Sequence, residues 1–334
     1  MNQVTPIEIT SIKLGPGVYD DLPDEFYHGD CCAGPSISST GLRQMLNDPA
    51  DYWEGSALNP VVAEVRKRAQ EEAIAQGIAP QKRHFDIGKS AHLMLLEPQR
   101  IGESVAVIPA DILGSNGALS TKAAKTWAAQ QAAAGRSVLK PEEWDGICDM
   151  ADALASHREA RALMAGCRIE QSHIWQDPQT GVFIKSRPDL TPPESGHWIV
   201  DYKTTDAATP DDWSRKSLCD FRLDIQTALQ LWGANECLGI EPLGVVYIVQ
   251  SKKKPSRIAL RRIARQSTIG QDLLAAARLD IRTALNRFAI CWETGRWPSV
   301  WDGPAADMIP PSFRQREIEA QLAKSVPDWT GFAA

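Results

Sequence analysis

Between residues 187 and 203 the chain reads Arg187-Pro188-Asp189, then eleven residues, then Asp201-Tyr202-Lys203, and few folds can use that spacing. Trp198-Ile199-Val200 is an apolar run suited to a sheet interior, and it leads straight into Asp201 and Lys203. Strand residues two apart leave the same face, so a carboxylate and an ammonium emerge side by side. Asp189 ends the preceding strand, and Thr191-Pro192-Pro193-Glu194-Ser195-Gly196 lets the chain reverse and bring Asp189 level with Asp201. Charged groups just past a buried strand sit at its C-terminal end, a common place for ligands in α/β sheets.

Two carboxylates and the Tyr202 carbonyl offer an all-oxygen shell for Mg²⁺ at about 2.0–2.1 Å. A cation held there would acidify a water and offset charge on a phosphate oxygen, with Lys203 beside the attacking water. A surface turn carrying an Asp–Lys pair is the competing reading. Pro-Asp at this distance and the apolar strand before Asp201 favour a site. His92 falls on a helical face with Phe85 and Leu95, and Gly88 one turn earlier lets that helix approach a sheet. An inward histidine is either a satisfied core residue or a ligand, and as a ligand it suits Mn²⁺ better than Mg²⁺. Glu170 is a further ligand, a holder of the nucleophilic water, or a solvated strand-end carboxylate.

Around this motif the periodicity predicts one α/β domain over residues 36–295, with an arm at 1–35 and a tail at 296–334. Helices are expected from Ser38 or Ser39 to Asn47, at 61–76 before Gly77 and Pro80, at 83–96, at 120–134 and at 141–164. Strands follow at 169–175 and 182–187, joined by the Asp177–Gly181 turn, and at 198–202. A helix at 221–238, a hairpin of 244–250 with 257–265, and a helix at 271–292 complete the domain. The tail is rich in proline, and with Trp297, Trp301 and Trp329 it is compatible with subunit contacts.

Hydrophobic residues make up 43% and charged residues 23% of the 334 positions, which suits a soluble globular chain. No apolar run approaches the roughly 18 residues of a membrane span, and the polar, acidic stretch from Met1 to Pro23 argues against export. Seven cysteines without a Cys-x-x-Cys pair suit reduced thiols at small core positions in a cytoplasm, not a zinc or iron–sulfur site. A net charge of −6 leaves nucleic acid to bind only where a local field favours it. The densest basic stretch is Lys252-Lys253-Lys254 with Arg257, Arg261, Arg262 and Arg265, which either follows a phosphate backbone or is a solvated turn.

Five blocks now stand in order: Gly88-Lys89-Ser90-Ala91-His92, Ile169-Glu170-Gln171-Ser172-His173-Ile174-Trp175, Arg187-Pro188-Asp189, Asp201-Tyr202-Lys203-Thr204-Thr205, and Gln226. This order resembles the RecE-type exonucleases (exonuclease VIII) of the PD-(D/E)xK nuclease superfamily, alongside lambda exonuclease and the RecB nuclease domain. The resemblance covers roughly residues 26 to 300. It implies a restriction-endonuclease-like core, a central mixed β-sheet flanked by helices. It also implies a Mg²⁺-dependent enzyme, with Mn²⁺ as a substitute, that resects the 5′ strand of double-stranded DNA ends. The 3′ overhang would pass to a RecT-type annealing protein in a phage-derived recombination module, and the enzyme would assemble as a ring-shaped homo-oligomer such as a tetramer. By the same likeness His92, Asp189, Asp201 and the Tyr202 carbonyl hold metal, Lys203 serves the nucleophile and Glu170 supports it. Ser38 and Thr40 would lie near the DNA 5′ end, unless these hydroxyls only cap the helix, with Arg187 and Gln226 as further DNA contacts; Lys253 is a candidate contact from the basic hairpin alone. The chain departs from the family where an aromatic residue often follows the glutamine by one turn; here Gln230 occupies that place. Alternative readings keep the fold with endonuclease or single-strand activity, or make the chain a catalytically dead DNA-end-binding protein.

Overall fold

A computed structural model describes residues 13–76, 83–305 and 307–323. The chain divides into two compact units, Met1–Trp297 and Pro298–Ala334. The first begins with β1 (Gly17–Tyr19), α1 (Asp24–His28), β2 (Ser36–Ile37), α2 (Ser39–Asn47), α3 (Pro49–Gly55), α4 (Pro60–Gln76) and α5 (Arg83–Leu96). The break between α2 and α3 is local chemistry: Asp48 accepts the Ala50 N–H while Pro49 opens the next helix. Next come α6 (Ile101–Ser104), β3 (Val105–Val107), α7 (Lys122–Ala133), β4 (Ser137–Leu139), α8 (Pro141–Ser156) and α9 (Arg158–Met164). The helix expected over 141–164 is thus two, because the His157 side chain accepts the Ala160 N–H and starts α9 afresh.

The remaining elements form most of the sheet structure: β5 (Arg168–Ile169), β6 (Ser172–Gln176), β7 (Phe183–Ser186), β8 (Leu190–Thr191), β9 (Ile199–Thr205), α10 (Pro210–Cys219), α11 (Leu223–Leu238), β10 (Gly244–Ser251), β11 (Ile258–Ala264) and α12 (Thr268–Thr294). One sheet runs β1-β6-β7-β2 and a second runs β11-β10-β9-β8-β5, while β3 and β4 pair separately. Both large sheets mix parallel and antiparallel neighbours, so the α/β architecture read from the sequence is the one adopted. The single central sheet is divided in two, however, and α10 was not anticipated; Thr209 caps it, accepting the Asp212 N–H. β9 runs to Thr205, three residues beyond the expected end, because β10 pairs with it as far as Ser251. Asp201 and Lys203 therefore lie within the strand and not past it.

Alternation along β9 sorts its two faces. Ile199 packs with α11, α12 and α2 in one core cluster that includes Leu229, Phe288, Leu42 and Met45. Val200 and Tyr202 pack with Leu190, Ile248 and residues of α5 and α8, among them Ala91, Ile147 and Met150, in another. The site lies beside β9, the middle strand of the five-stranded sheet, on the side that faces β8.

From Leu14 onward the residues expected as an arm belong to the domain, since β1 pairs with β6 and Leu14, Cys31 and Cys32 are buried with Ile174 and Phe183. Trp297, assigned to the tail, stacks on Trp53 with ring centroids 4.5 Å apart, and so belongs to the first unit. In the second unit α13 (Ser312–Leu322) buries none of its residues, and Trp301 is exposed. Gly77, Pro80, Pro327, Trp329 and the Phe85 side chain lie outside the described residues. Of the seven cysteines, all are free; Cys31, Cys32 and Cys291 are buried and Cys219 is exposed.

Gly233 sets how closely α11 approaches β6. A Cβ there would lie 2.8 Å from Trp175 Cζ3, and Trp175 is buried with little room to turn. Gly233→Ala should therefore destabilise the fold by about 1–3 kcal/mol, even though alanine favours a helix by about 1 kcal/mol. A thermal melt checks this; an unchanged or raised midpoint would show that Trp175 yields. Gly88 is less demanding than its sequence position suggests, because a Cβ there would sit 3.7 Å from Thr204 Oγ1, an ordinary contact.

Candidate active site

The hairpin of β6 and β7 continues into β5 and β8 without a slip in register: His173 faces Ser186 in one sheet and Ile169 faces Leu190 in the other. The crossing points are Glu170 and Asp189, directly opposite each other, with the Glu170 N–H donating to the Asp189 carbonyl at 2.9 Å. Glu170 has a left-handed backbone, φ +49, which residues other than glycine rarely adopt. That conformation breaks the strand expected over 169–175, and it places a carboxylate at the boundary between the sheets.

Asp189 completes the edge of β9. Strand β8 pairs with it only at Leu190 and Val200, so the next N–H on that edge, from Tyr202, lacks a strand partner and donates to Asp189 Oδ2 at 2.7 Å. A strand residue's carbonyl leaves on the same edge as its N–H, so the Tyr202 carbonyl faces the same way as expected for a ligand. Helix α5 supplies His92, whose Nε2 lies 3.1 Å from Asp189 Oδ2 and 3.3 Å from Glu170 Oε1. Among the described residues, His92, Glu170 and Asp189 form the one group whose donor atoms gather within 4.8 Å, close enough to hold an ion.

Electrostatics fit a cation here. Burial raises Glu170 and the neighbouring Asp189 charge adds to it, pushing the carboxyl up to about 7 against the pull of His92. For Asp189, burial works upward but is outweighed by His92 and Lys203, leaving it at about 2. Burial disfavours charge on His92, yet the charge and hydrogen bond of Asp189, with Glu170 behind them, raise it to about 9. Two crowded carboxylates, relieved by the His92 imidazolium with Lys203 and Arg187 nearby, are the environment a divalent ion stabilises. The imidazole among the carboxylates makes the donor set better suited to Mn²⁺ than an all-oxygen shell would be.

Asp201 stands beside this group, not in it. Lys203 Nζ pairs with its Oδ1, while Gln226 and Gln230 on α11 donate to Oδ2 at 2.7 and 3.0 Å. With both oxygens engaged, Asp201 anchors the lysine, and Glu170 takes the place in the cluster that the sequence reading gave to Asp201. Burial raises the Asp201 pKa, as does Asp189, against the effect of Lys203. Burial opposes charge on Lys203, but Asp201 and Asp189 outweigh it and raise its pKa, so it remains an ammonium.

A cleft of about 670 Å³ opens over these groups and is also lined by Ser38, Ser39, Thr40, Arg43, Lys89, Lys185 and Arg187. Ser38 makes no capping hydrogen bond, so its hydroxyl is not spent on α2, and Thr40 Oγ1 accepts from Arg43 Nη2 at 2.9 Å. Arg187, expected as a DNA contact, is instead held by Ser172 and Asp24 and stacks on Tyr27, with its side chain 8% exposed. Gln226 likewise serves Asp201. Lys253 does not line the cleft, and its hairpin is locally neutralised by Lys252–Asp206, Lys254–Asp149 and Arg261–Asp211 pairs. The sequence reading passed over Arg43 and Lys185. Arg43 lies three residues after Thr40 on one helix face, a readable spacing. Lys185 is buried against the Tyr27 and Gly29 carbonyls, partners too distant in sequence to leave a pattern.

The chain is similar in fold to a crystal structure of a protein from Eubacterium rectale described as a candidate exonuclease. The two are 10% identical with a TM-score of 0.51, over 92% of this chain and 100% of that one. The structure of SSO0001 aligns over 63% of this chain and 85% of that one at 14% identity, with a TM-score of 0.26. No curated protein matches significantly. The family described as PDDEXK-like domain of unknown function (DUF3799) matches residues 52–303, spanning His92, Glu170, Asp189, Asp201 and Lys203, and the chain belongs to that family, within the PD-(D/E)xK nuclease superfamily.

Proposed function

We propose that this chain is a metal-dependent exonuclease that degrades the 5′ strand of linear double-stranded DNA and leaves 3′ overhangs for a single-strand annealing partner. One observation carries the reading: the His92, Glu170 and Asp189 cluster shares its cleft with Ser38, Ser39, Thr40 and Arg43 at the start of α2. A helix start with hydroxyls and a guanidinium suits a terminal phosphate, and seating that phosphate would decide which bond reaches the cluster. His92, Glu170 and Asp189 would hold the ion, with the Tyr202 carbonyl on the same edge. When bound, Mg²⁺ or Mn²⁺ supplies Lewis-acid charge and a more acidic water. Asp201 fixes Lys203, whose ammonium faces the charge that builds on the phosphate. No helix among the described residues is long and apolar enough to cross a membrane.

Duplexes labelled at the 5′ or the 3′ end, together with closed circles, test this directly. In Mg²⁺ or Mn²⁺ the 5′ label should be released first, circles should stay intact, and a chelator should stop the reaction. Nicked circles would make the enzyme an endonuclease, and release that persists in chelator would end the metal-dependent reading.

A further inference from the structure

Gln230 is buried, 1% exposed, yet it lines the cleft beside the cluster. Its amide nitrogen is committed to Asp201 Oδ2, and because a carboxylate only accepts, that contact fixes which end of the amide is which. The other end, Oε1, is buried and has no hydrogen-bond partner. A buried carbonyl without a donor is costly, and native proteins keep such groups mainly where something else completes them. Gln226 reaches the same carboxylate oxygen, so Asp201 does not require a second amide for its own satisfaction.

We infer that Gln230 is a positioning residue whose side-chain oxygen accepts a hydrogen bond from the attacking water. Gln230 and Lys203 are fastened to opposite oxygens of Asp201, so one buried carboxylate fixes both. A water between them gives one hydrogen to Gln230 Oε1 and receives an N–H from Lys203 in one lone pair. The lone pair freed as its other proton leaves attacks phosphorus; the bond from phosphorus to the leaving oxygen breaks as the new one forms, and that proton ends on the departing oxygen by way of the open cleft. An amide suits this task because it orients the water without gaining or losing a proton itself. Among the described residues, Gln230 Oε1 is the cleft-lining amide oxygen that is both buried and without a partner. This inference rests on the nuclease reading given above and refines the same site.

The test uses the full chain with Gln230→Phe, Gln230→Met and Gln230→Tyr, assayed on linear duplex in Mg²⁺. Phenylalanine and methionine remove both hydrogen bonds, whereas a phenol can donate to Asp201 and accept from the water. Phe and Met should lower kcat by roughly 100-fold, the scale of a misplaced reacting group, with KM nearly unchanged. Tyr should recover most of kcat, and Mn²⁺-induced thermal stabilisation should persist in all three, which a merely structural defect would not allow. Wild-type kcat in Phe or Met, a loss seen only in KM, or a Tyr variant no better than Phe would each overturn the inference. A wild-type chain that cleaves no DNA would overturn the nuclease reading itself, so the two failures are distinguishable.

Discussion

Lys203→Ala should lower the cleavage rate by about three orders of magnitude, equivalent to roughly 4 kcal/mol of transition-state stabilisation, while KM changes little. Lys203 shares a strand face with Asp201, and its side chain is one-third exposed at 33%, reaching the cleft from a carboxylate that is 1% exposed. The ammonium thus stands where a phosphate can meet it, and its raised pKa keeps it charged at neutral pH. Because it carries no proton away, its contribution is electrostatic and grows as charge builds on the phosphate. Substrate that has not yet reacted gains less, which is why the loss falls on kcat. Lys203→Arg should not restore the rate, because a guanidinium spreads its charge over a wider, flat fork. Steady-state cleavage of a labelled duplex gives the answer, and an alanine variant within tenfold of the parent would remove Lys203 from the chemistry.

The sequence was informative where chemistry is local and less so where it is assembled across the chain. Asp201 and Lys203 were legible because two-residue alternation after an apolar run leaves little choice of face. Asp189 at their level followed from the proline-containing reversal, and the register of Leu190 with Val200 agrees with it. Which carboxylate would join His92 could not be read. That depended on Gln226 and Gln230 occupying Asp201, and on a left-handed turn at Glu170 that no neighbouring glycine signals. Glu170 and Asp189 meet only because one hairpin crosses between two sheets, a long-range arrangement that strand periodicity does not encode. The anchoring of Arg187 was not legible for a related reason: it lines the cleft, but Tyr27, Asp24 and Ser172 come from elsewhere in the chain to hold it. On either side of Lys253, the charges of Lys252 and Lys254 are matched by acids on other elements, which the basic run by itself does not reveal.

Two substitutions at Asp189 should separate holding the metal from holding the strand edge. Its Oδ2 both faces His92 and accepts the Tyr202 N–H. Asn keeps an oxygen for that N–H and loses the charge; Ala loses both. Asp189→Asn should therefore stay folded but lose cleavage by at least about a thousandfold. It should also lose the stabilisation, about 2.7 kcal/mol at a concentration 100 times Kd, that Mn²⁺ gives the parent. Asp189→Ala should show the same losses and, without metal, a further destabilisation of about 1–3 kcal/mol, because a buried backbone donor is left unpaired. Thermal melts with and without Mn²⁺ distinguish the two. If the Asn variant kept the parent's Mn²⁺ response, the ion would be held elsewhere. Asp189 would then only finish the edge of β9, and the paired carboxylates would lose their assigned role in catalysis.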